Sequence, residues 1–402
     1  MKKRVLIVLT LSMIMTLCGC GLSQKSRVST EIKQVLPVEN GTVAVLYSDG
    51  TVNAAGNTQL SEAVENWSSV EKLYFQRDSD WIDGEFSDES YILGLTKDGS
   101  VLSTSGDFSD WRSVRELHCT SRGMLGVTEE GRVLVDRAWT DESSKAALAD
   151  ICDVDTLVYS DIQGSIACLK KDGSVQFVYG YGYSDPDIRW NDVKEIRDSG
   201  HAFYVIKKDG TVDGGLEESY PGLKDAVKIV HYYDWIFGVS ADGRLLTYNG
   251  GNIFTNGGDW RMDVPGSPEN WYTGEVDVSK YNQVKDIVVF GGLILLNQDG
   301  TVDSIGEYPS WNLSDWKDIQ KVYCTADSNW NTTMLYGIHQ DGTVIFTRNN
   351  EEKMVQTVID AYRGWNLQEI YPGIGGVVGL TADGNLVGDG IYENIDFSIF
   401  ER

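Results

Sequence analysis

Sixty carboxylates, four histidines and six cysteines are the side chains of this 402-residue chain that could do chemistry. Their spacing decides which chemistry is open. Asp78, Asp80 and Glu89 match positions 1, 3 and 12 of a calcium loop, but Ile82 stands at position 5 and Asp83 at position 6, where a ligand and a glycine are needed. Asp327, Asn329 and Asn331 begin the same motif and lose it at Thr332 and Ile338. His118, His201, His231 and His339 show no metal-ligand spacing, and His118 and His231 each follow the last apolar position of a strand-like segment. No Gly-x-Ser-x-Gly elbow occurs, and Gly373-x-Gly375 lacks the third glycine of a dinucleotide loop. So many carboxylates must bring some together by chance, which singles out no glycosidase-type pair. The expectation is a non-catalytic protein with no cofactor and no dedicated metal site.

The cysteines suggest one modification. Lys2, Lys3 and Arg4 precede an apolar run from Val5 to Leu17, which is too short to span a bilayer as a helix. Leu17-Cys18-Gly19-Cys20 follows and resembles the lipobox of bacterial lipoprotein signal peptides. The resemblance implies cleavage before Cys20 and a diacylglycerol on its thiol. Residues 1–19 are then a signal peptide, 20–30 a lipidated tether and 31–402 the folded domain. The expected location is the extracytoplasmic face of a cell membrane, with lipid as the only membrane contact. Ordinary signal-peptide and buried-segment readings stand beside it. Cys119, Cys152, Cys168 and Cys324 are too few and too scattered for a disulfide framework and read as buried free thiols.

The formal charge is −26, and loss of Lys2, Lys3 and Arg4 with the leader makes it −29. A surface this acidic repels nucleic acid. It suits extracellular solubility, and it also suits attraction of divalent cations or basic partners.

The elements that would position any site come from a repeat. Hydrophobic segments run through an Asp-Gly or Glu-Gly pair nine times, with glycines at Gly50, Gly99, Gly131, Gly173, Gly210, Gly243, Gly300, Gly342 and Gly384. Eight steps from Asp49 to Asp383 cover 334 residues, a period of roughly 42. With the acidic residue as zero, positions −3 and +3 are apolar in every copy, from Leu46 and Val52 to Leu380 and Leu386. Positions −2 and +2 are mostly polar. Only a three-residue loop pairs apolar with apolar and polar with polar. The pattern therefore predicts a type I turn followed by a left-handed glycine and a bulge, which makes the glycines a backbone requirement and not a phosphate cradle.

A third strand-like segment precedes each hairpin, as at Val70–Leu73, Val114–Leu117 and Val284–Ile287. Trp67, Trp111, Trp190 and Trp316 stand three residues before four of these segments. Ile395–Ile399 reads as a tenth leading segment that could complete the first blade and remove two open edges. The fold class predicted is all-β, a β-propeller of about nine short three- to four-stranded repeats with seven to nine blades.

Gly94-Leu95-Thr96-Lys97-Asp98-Gly99-Ser100-Val101 and Gly379-Leu380-Thr381-Ala382-Asp383-Gly384-Asn385-Leu386 resemble the regulator-of-chromosome-condensation type repeat in its compact bacterial form. The resemblance covers residues 31–402. It implies a β-propeller, commonly seven-bladed, in a family that includes a propeller-type β-lactamase inhibitor protein. The chain departs from the family pattern with nine units, without the usual His before the turn and mostly without the following Trp-Gly. Inhibition of a β-lactamase or penicillin-binding enzyme would follow from the resemblance alone.

Binding residues are expected where the repeat breaks. Gln76–Ser90 holds Trp81 and Phe86, Thr325–Thr333 holds Trp330, and Asn249–Asn282 holds Trp260, Trp271 and Tyr272. Aromatic residues among polar ones make good contact anchors, and they can equally fold back over blade edges. The function expected is a monomeric, membrane-anchored scaffold that binds a protein or envelope polymer through these insertions. The alternative is an extracellular carbohydrate-binding or carbohydrate-active propeller.

Overall fold

Leu46 pairs with Val52 across the first turn, and the −3 residue pairs with the +3 residue at all nine turns. The computed structural model describes residues 31–402 apart from 83–84, 138, 140, 161–163, 180–188, 199–202, 215–218, 233–234, 249, 251–252, 257–258, 263–273, 290–291, 306–312, 327–331, 351–352, 359–364 and 402. Each turn glycine donates its N–H to the −2 carbonyl, as Gly50 does to Tyr47 at 2.9 Å. All nine have φ between +78° and +90°, the left-handed region a bulged type I hairpin requires.

The chain is all-β, with nine repeated antiparallel sheets, eight three-stranded and one four-stranded. Unit one is Ile32–Val38, Thr42–Tyr47 and Val52–Ala55. Unit nine is Leu367–Gly373, Gly376–Thr381 and Leu386–Gly390. Within each unit the strands run leading, middle, trailing. The apolar −3 and +3 residues of one unit join the first apolar residue of the next, as Leu46 and Val52 join Val70. One buried cluster thus lies at each joint rather than in one common core.

Two backbone features tie consecutive units. At eight joints the turn-glycine carbonyl accepts an N–H from the next leading strand or the residue before it, at 2.7–3.0 Å. At six of them the residue just before that strand is left-handed, at Ser69, Ser113, Asp153, Asp192, Asp225 and Asp318. Short polar residues tolerate that conformation best. The incoming backbone approaches so closely that a Cβ on Gly99 would lie 2.7 Å from Ser113. These glycines thus have two reasons to be glycine.

The tryptophans before the leading strands cover middle-strand glycines. A Cβ on Gly126 or Gly337 would come 2.7 Å from the ring of Trp111 or Trp316. Ile151 and Leu223 hold the same place before units four and six, where no Trp stands.

Leading strands of consecutive units lie side by side, and the leading strand of unit one lies against that of unit nine. Tyr47, Val378, Tyr392 and Phe400 share one buried cluster there.

Three expectations need correction. Ile395–Ile399 is not a tenth strand: Phe397–Phe400 is a 3₁₀ turn, because Asp396 accepts the Ser398 N–H at 3.1 Å and caps it. The interruption in unit two is not a loop, since the leading and middle strands lengthen to Val70–Ile82 and Glu85–Thr96. Of the four cysteines read as buried, Cys168 is buried, Cys324 is half-buried, and Cys119 and Cys152 are exposed.

Candidate functional site

Strand direction divides every unit into two ends. A leading strand starts beside the preceding Asp-Gly turn and runs away from it, and the trailing strand runs the same way. The near end therefore carries the nine acidic turns. The far end carries the leading-to-middle connections and the exits of the trailing strands.

Among the described residues, the strand extensions and the added sheet start from the far end. In unit two the hairpin pairs on from Gln76–Tyr91 to Ile82–Glu85, with Trp81 and Phe86 as Cα partners. In unit eight the leading and middle strands pair as far as Ala326–Thr333. Its trailing strand Val344–Asn350 then turns into a fourth, Lys353–Val358. After the trailing strand of unit six the chain builds a separate sheet from Ile253–Asn256, Asp259–Met262 and Gly274–Val276. Trp260 pairs there with Thr255. Trp271, Tyr272 and Trp330 lie outside the described residues, as do Asp327, Asn329, Asn331 and Cys20.

At the near end the turn carboxylates are already engaged. Asp299 accepts the Thr301 N–H at 2.9 Å and its hydroxyl at 2.7 Å. The same pair of bonds recurs at Asp49, Asp172, Asp209 and Asp341. Donation from the +2 hydroxyl, then from the +2 N–H, holds Asp172, Asp209, Asp299 and Asp341 below the ordinary aspartate range. These turn carboxylates are thus built into the hairpins. Among the described residues, no three His, Cys, Asp or Glu side chains meet as metal ligands would.

A second polar layer runs along the touching leading strands. The Gln34 amide donates to the Leu73 carbonyl and accepts its N–H, both at 2.9 Å. Lys321 reaches the Gln368 carbonyl at 3.1 Å and the Glu369 carboxylate at 2.6 Å. Tyr323 donates to Glu369, and burial together with that carboxylate raises its pKa. Burial works to raise the Glu116 carboxyl, yet the His118 imidazole 3.3 Å away, donation from the Thr156 hydroxyl and the charge of Arg115 hold it below the usual range. These side chains join neighbouring units. Gln34, Glu116, Lys321 and Glu369 stand at the third position of their leading strands, to which the sequence pattern assigned no role.

No family model and no curated protein matches the chain. Among solved structures, a computationally designed protein is similar over 90 % of this chain and 96 % of its own, at 12 % identity and a TM-score of 0.41. A eukaryotic initiation factor is similar over 93 % and 89 %, at 11 % identity and a TM-score of 0.35. PorZ, a surface component of the type-IX secretion system of Porphyromonas gingivalis, is similar over 90 % of this chain and 51 % of its own, at 9 % identity and a TM-score of 0.28.

Proposed function

We propose that the protein is a lipid-anchored extracytoplasmic scaffold, a β-propeller of nine regulator-of-chromosome-condensation type repeats that holds a protein or envelope partner on its far face. One observation carries this reading: the lengthened hairpins of units two and eight, the fourth strand of unit eight and the sheet that follows unit six all start from the end of a unit opposite the Asp-Gly turns. A regular near end and an elaborated far end are what a binding scaffold with one variable face requires. The contact between units one and nine supports a closed ring, which leaves no sheet edge open at the termini.

The anchor fits the same orientation. Glu31 leads into the first strand at the near end, beside the turn, where its carbonyl accepts the Ser48 N–H at 2.8 Å. The tether from Cys20 to Thr30 therefore joins the near end. Fully extended, its eleven residues reach about 40 Å. The near face turns to the membrane and the far face turns outward.

Crosslinking of intact cells, followed by capture of the protein and mass spectrometry of what comes with it, tests this reading. The wild-type chain is compared with a Trp81→Ala and Trp330→Ala variant. Loss of one partner from the variant supports the far-face reading, and unchanged capture counts against it. Binding to a glycan array with turnover of the bound sugar would replace the scaffold by the carbohydrate-active alternative. In fractionated cells, Cys20→Ala is expected to release the protein or leave its leader uncleaved.

A further inference from the structure

Each of the eight Asp-Gly turns gives its aspartate a side-chain hydroxyl, and the hydroxyl comes from one of two places. In five turns it stands at position +2. Asp49 accepts from Thr51 at 2.6 Å, and Asp172, Asp209, Asp299 and Asp341 accept from Ser174, Thr211, Thr301 and Thr343, each at 2.7 Å. The −2 residues of these turns are Tyr47, Lys170, Lys207, Asn297 and His339, none of them Ser or Thr. Asp98, Asp242 and Asp383 accept instead from position −2, from Thr96, Ser240 and Thr381. There the +2 N–H of Ser100, Arg244 or Asn385 donates to the same hydroxyl oxygen at 2.9–3.0 Å.

An Asp-Gly bond is open to a rearrangement, because glycine has no side chain to shield its nitrogen. The glycine nitrogen bonds to the aspartate Cγ and loses its proton, and one carboxyl oxygen leaves as water. Hydrolysis of the cyclic imide then gives isoaspartate, whose backbone runs through Cβ and Cγ and is one carbon longer. An added backbone atom would break the three-residue loop that sets position −3 opposite +3.

The attack needs a free glycine nitrogen and a protonated carboxyl, and the folded turn withholds both. Every turn glycine donates its N–H to the −2 carbonyl at 2.8–3.0 Å. The hydroxyl donor favours the ionised carboxylate and is the main reason that Asp98, Asp172, Asp209, Asp242, Asp299, Asp341 and Asp383 stay below the ordinary aspartate range. We propose that this hydroxyl keeps each Asp-Gly turn from rearranging to isoaspartate, and that positions −2 and +2 supply it interchangeably. The turns are thus eight latent modification sites, each held shut by its own hydrogen bonds. Unit three has less need of the device, since Glu130 would have to close a larger, less favoured ring. The proposal depends on neither the anchor nor a partner.

Long incubation of the folded full-length chain at neutral pH, followed by peptide mapping that separates isoaspartate from aspartate, tests it. Ser174→Ala removes the donor from Asp172 without adding bulk. Isoaspartate at position 172 should then form several-fold faster than in the wild-type chain, while Asp209 and Asp341 keep their wild-type rates. Adding Lys170→Thr to Ser174→Ala supplies a hydroxyl from position −2 and should bring the rate at Asp172 back towards that of the wild type. Three results would overturn the proposal: an unchanged rate at Asp172 in Ser174→Ala, an equal rise at Asp209 and Asp341, or a double variant as labile as Ser174→Ala alone.

Discussion

The hydroxyl of Tyr392 donates a hydrogen bond to the carbonyl of Val38, 3.1 Å away, although 354 positions separate the two residues. Tyr47 makes the reciprocal contact, reaching the Phe400 carbonyl at 3.1 Å. Both tyrosines are fully buried. Together they join the last turn of the chain to its first sheet.

These bonds should be measurable in stability. Tyr392→Phe removes one buried donor and is expected to cost about 1 kcal/mol. Tyr392→Ala also empties a core position and should cost about 3–5 kcal/mol. Urea titration gives both values. Equal costs for the two changes would show that packing at this joint contributes nothing beyond the hydrogen bond.

Turn glycines allow the joints to be compared. Gly300→Ala and Gly384→Ala both force Ala to φ near +85°, a shared cost of about 1–2 kcal/mol. Only Gly300→Ala also drives a methyl into the backbone of Asp318 and Ile319. Gly300→Ala should therefore lower Tm clearly more than Gly384→Ala. Equal shifts would mean that the close approach at the joint is not rigid.

The Trp-over-Gly contact gives a paired test. Gly337→Ala places a methyl 2.7 Å from the buried ring of Trp316 and should cost about 1–3 kcal/mol by overpacking. Trp316→Leu makes room, so adding Gly337→Ala to it should cost less than it does in the wild-type chain. A double-mutant cycle reads the difference.

Turn carboxylates predict a pH effect with a definite sign. Asp299 is held below its unfolded value of about 3.9 by the Thr301 hydroxyl and N–H. Its contribution is fully present above that unfolded value and fades as pH falls through the lower folded value. Thr301→Val removes the hydroxyl donor, and the Asp299 carboxyl resonance should then titrate at higher pH by NMR. An unmoved titration would assign the depression to the backbone N–H alone.

The local parts of this fold were legible in sequence. Alternation around Asp-Gly was enough to pair Leu46 with Val52 and Leu380 with Leu386, because turn chemistry and side-chain period act over a few residues. Some local signals were available but passed over. Asn57 and Asp141 cap the helices Thr58–Val64 and Glu142–Ala149, and Asp83-Gly84 stands between the paired Ile82 and Glu85. The 3₁₀ turn at Phe397–Phe400 was hidden by its strand-like alternation. The hydrogen bonds from turn glycines to the following unit left no trace in residue type, because they join backbone groups brought together only by the neighbouring sheet. The additions at the far end were legible as interruptions of the repeat, but not as extended strands and an added sheet.

Site-specific photocrosslinking in intact cells separates the two ends of the units. A photoreactive residue replaces Trp81 at the far end of unit two in one chain, and Gln298 in the near-end turn of unit seven in another. A discrete adduct of one partner is expected from position 81 and none from position 298. The same adduct from both positions, or from 298 alone, would contradict a scaffold that presents its far face.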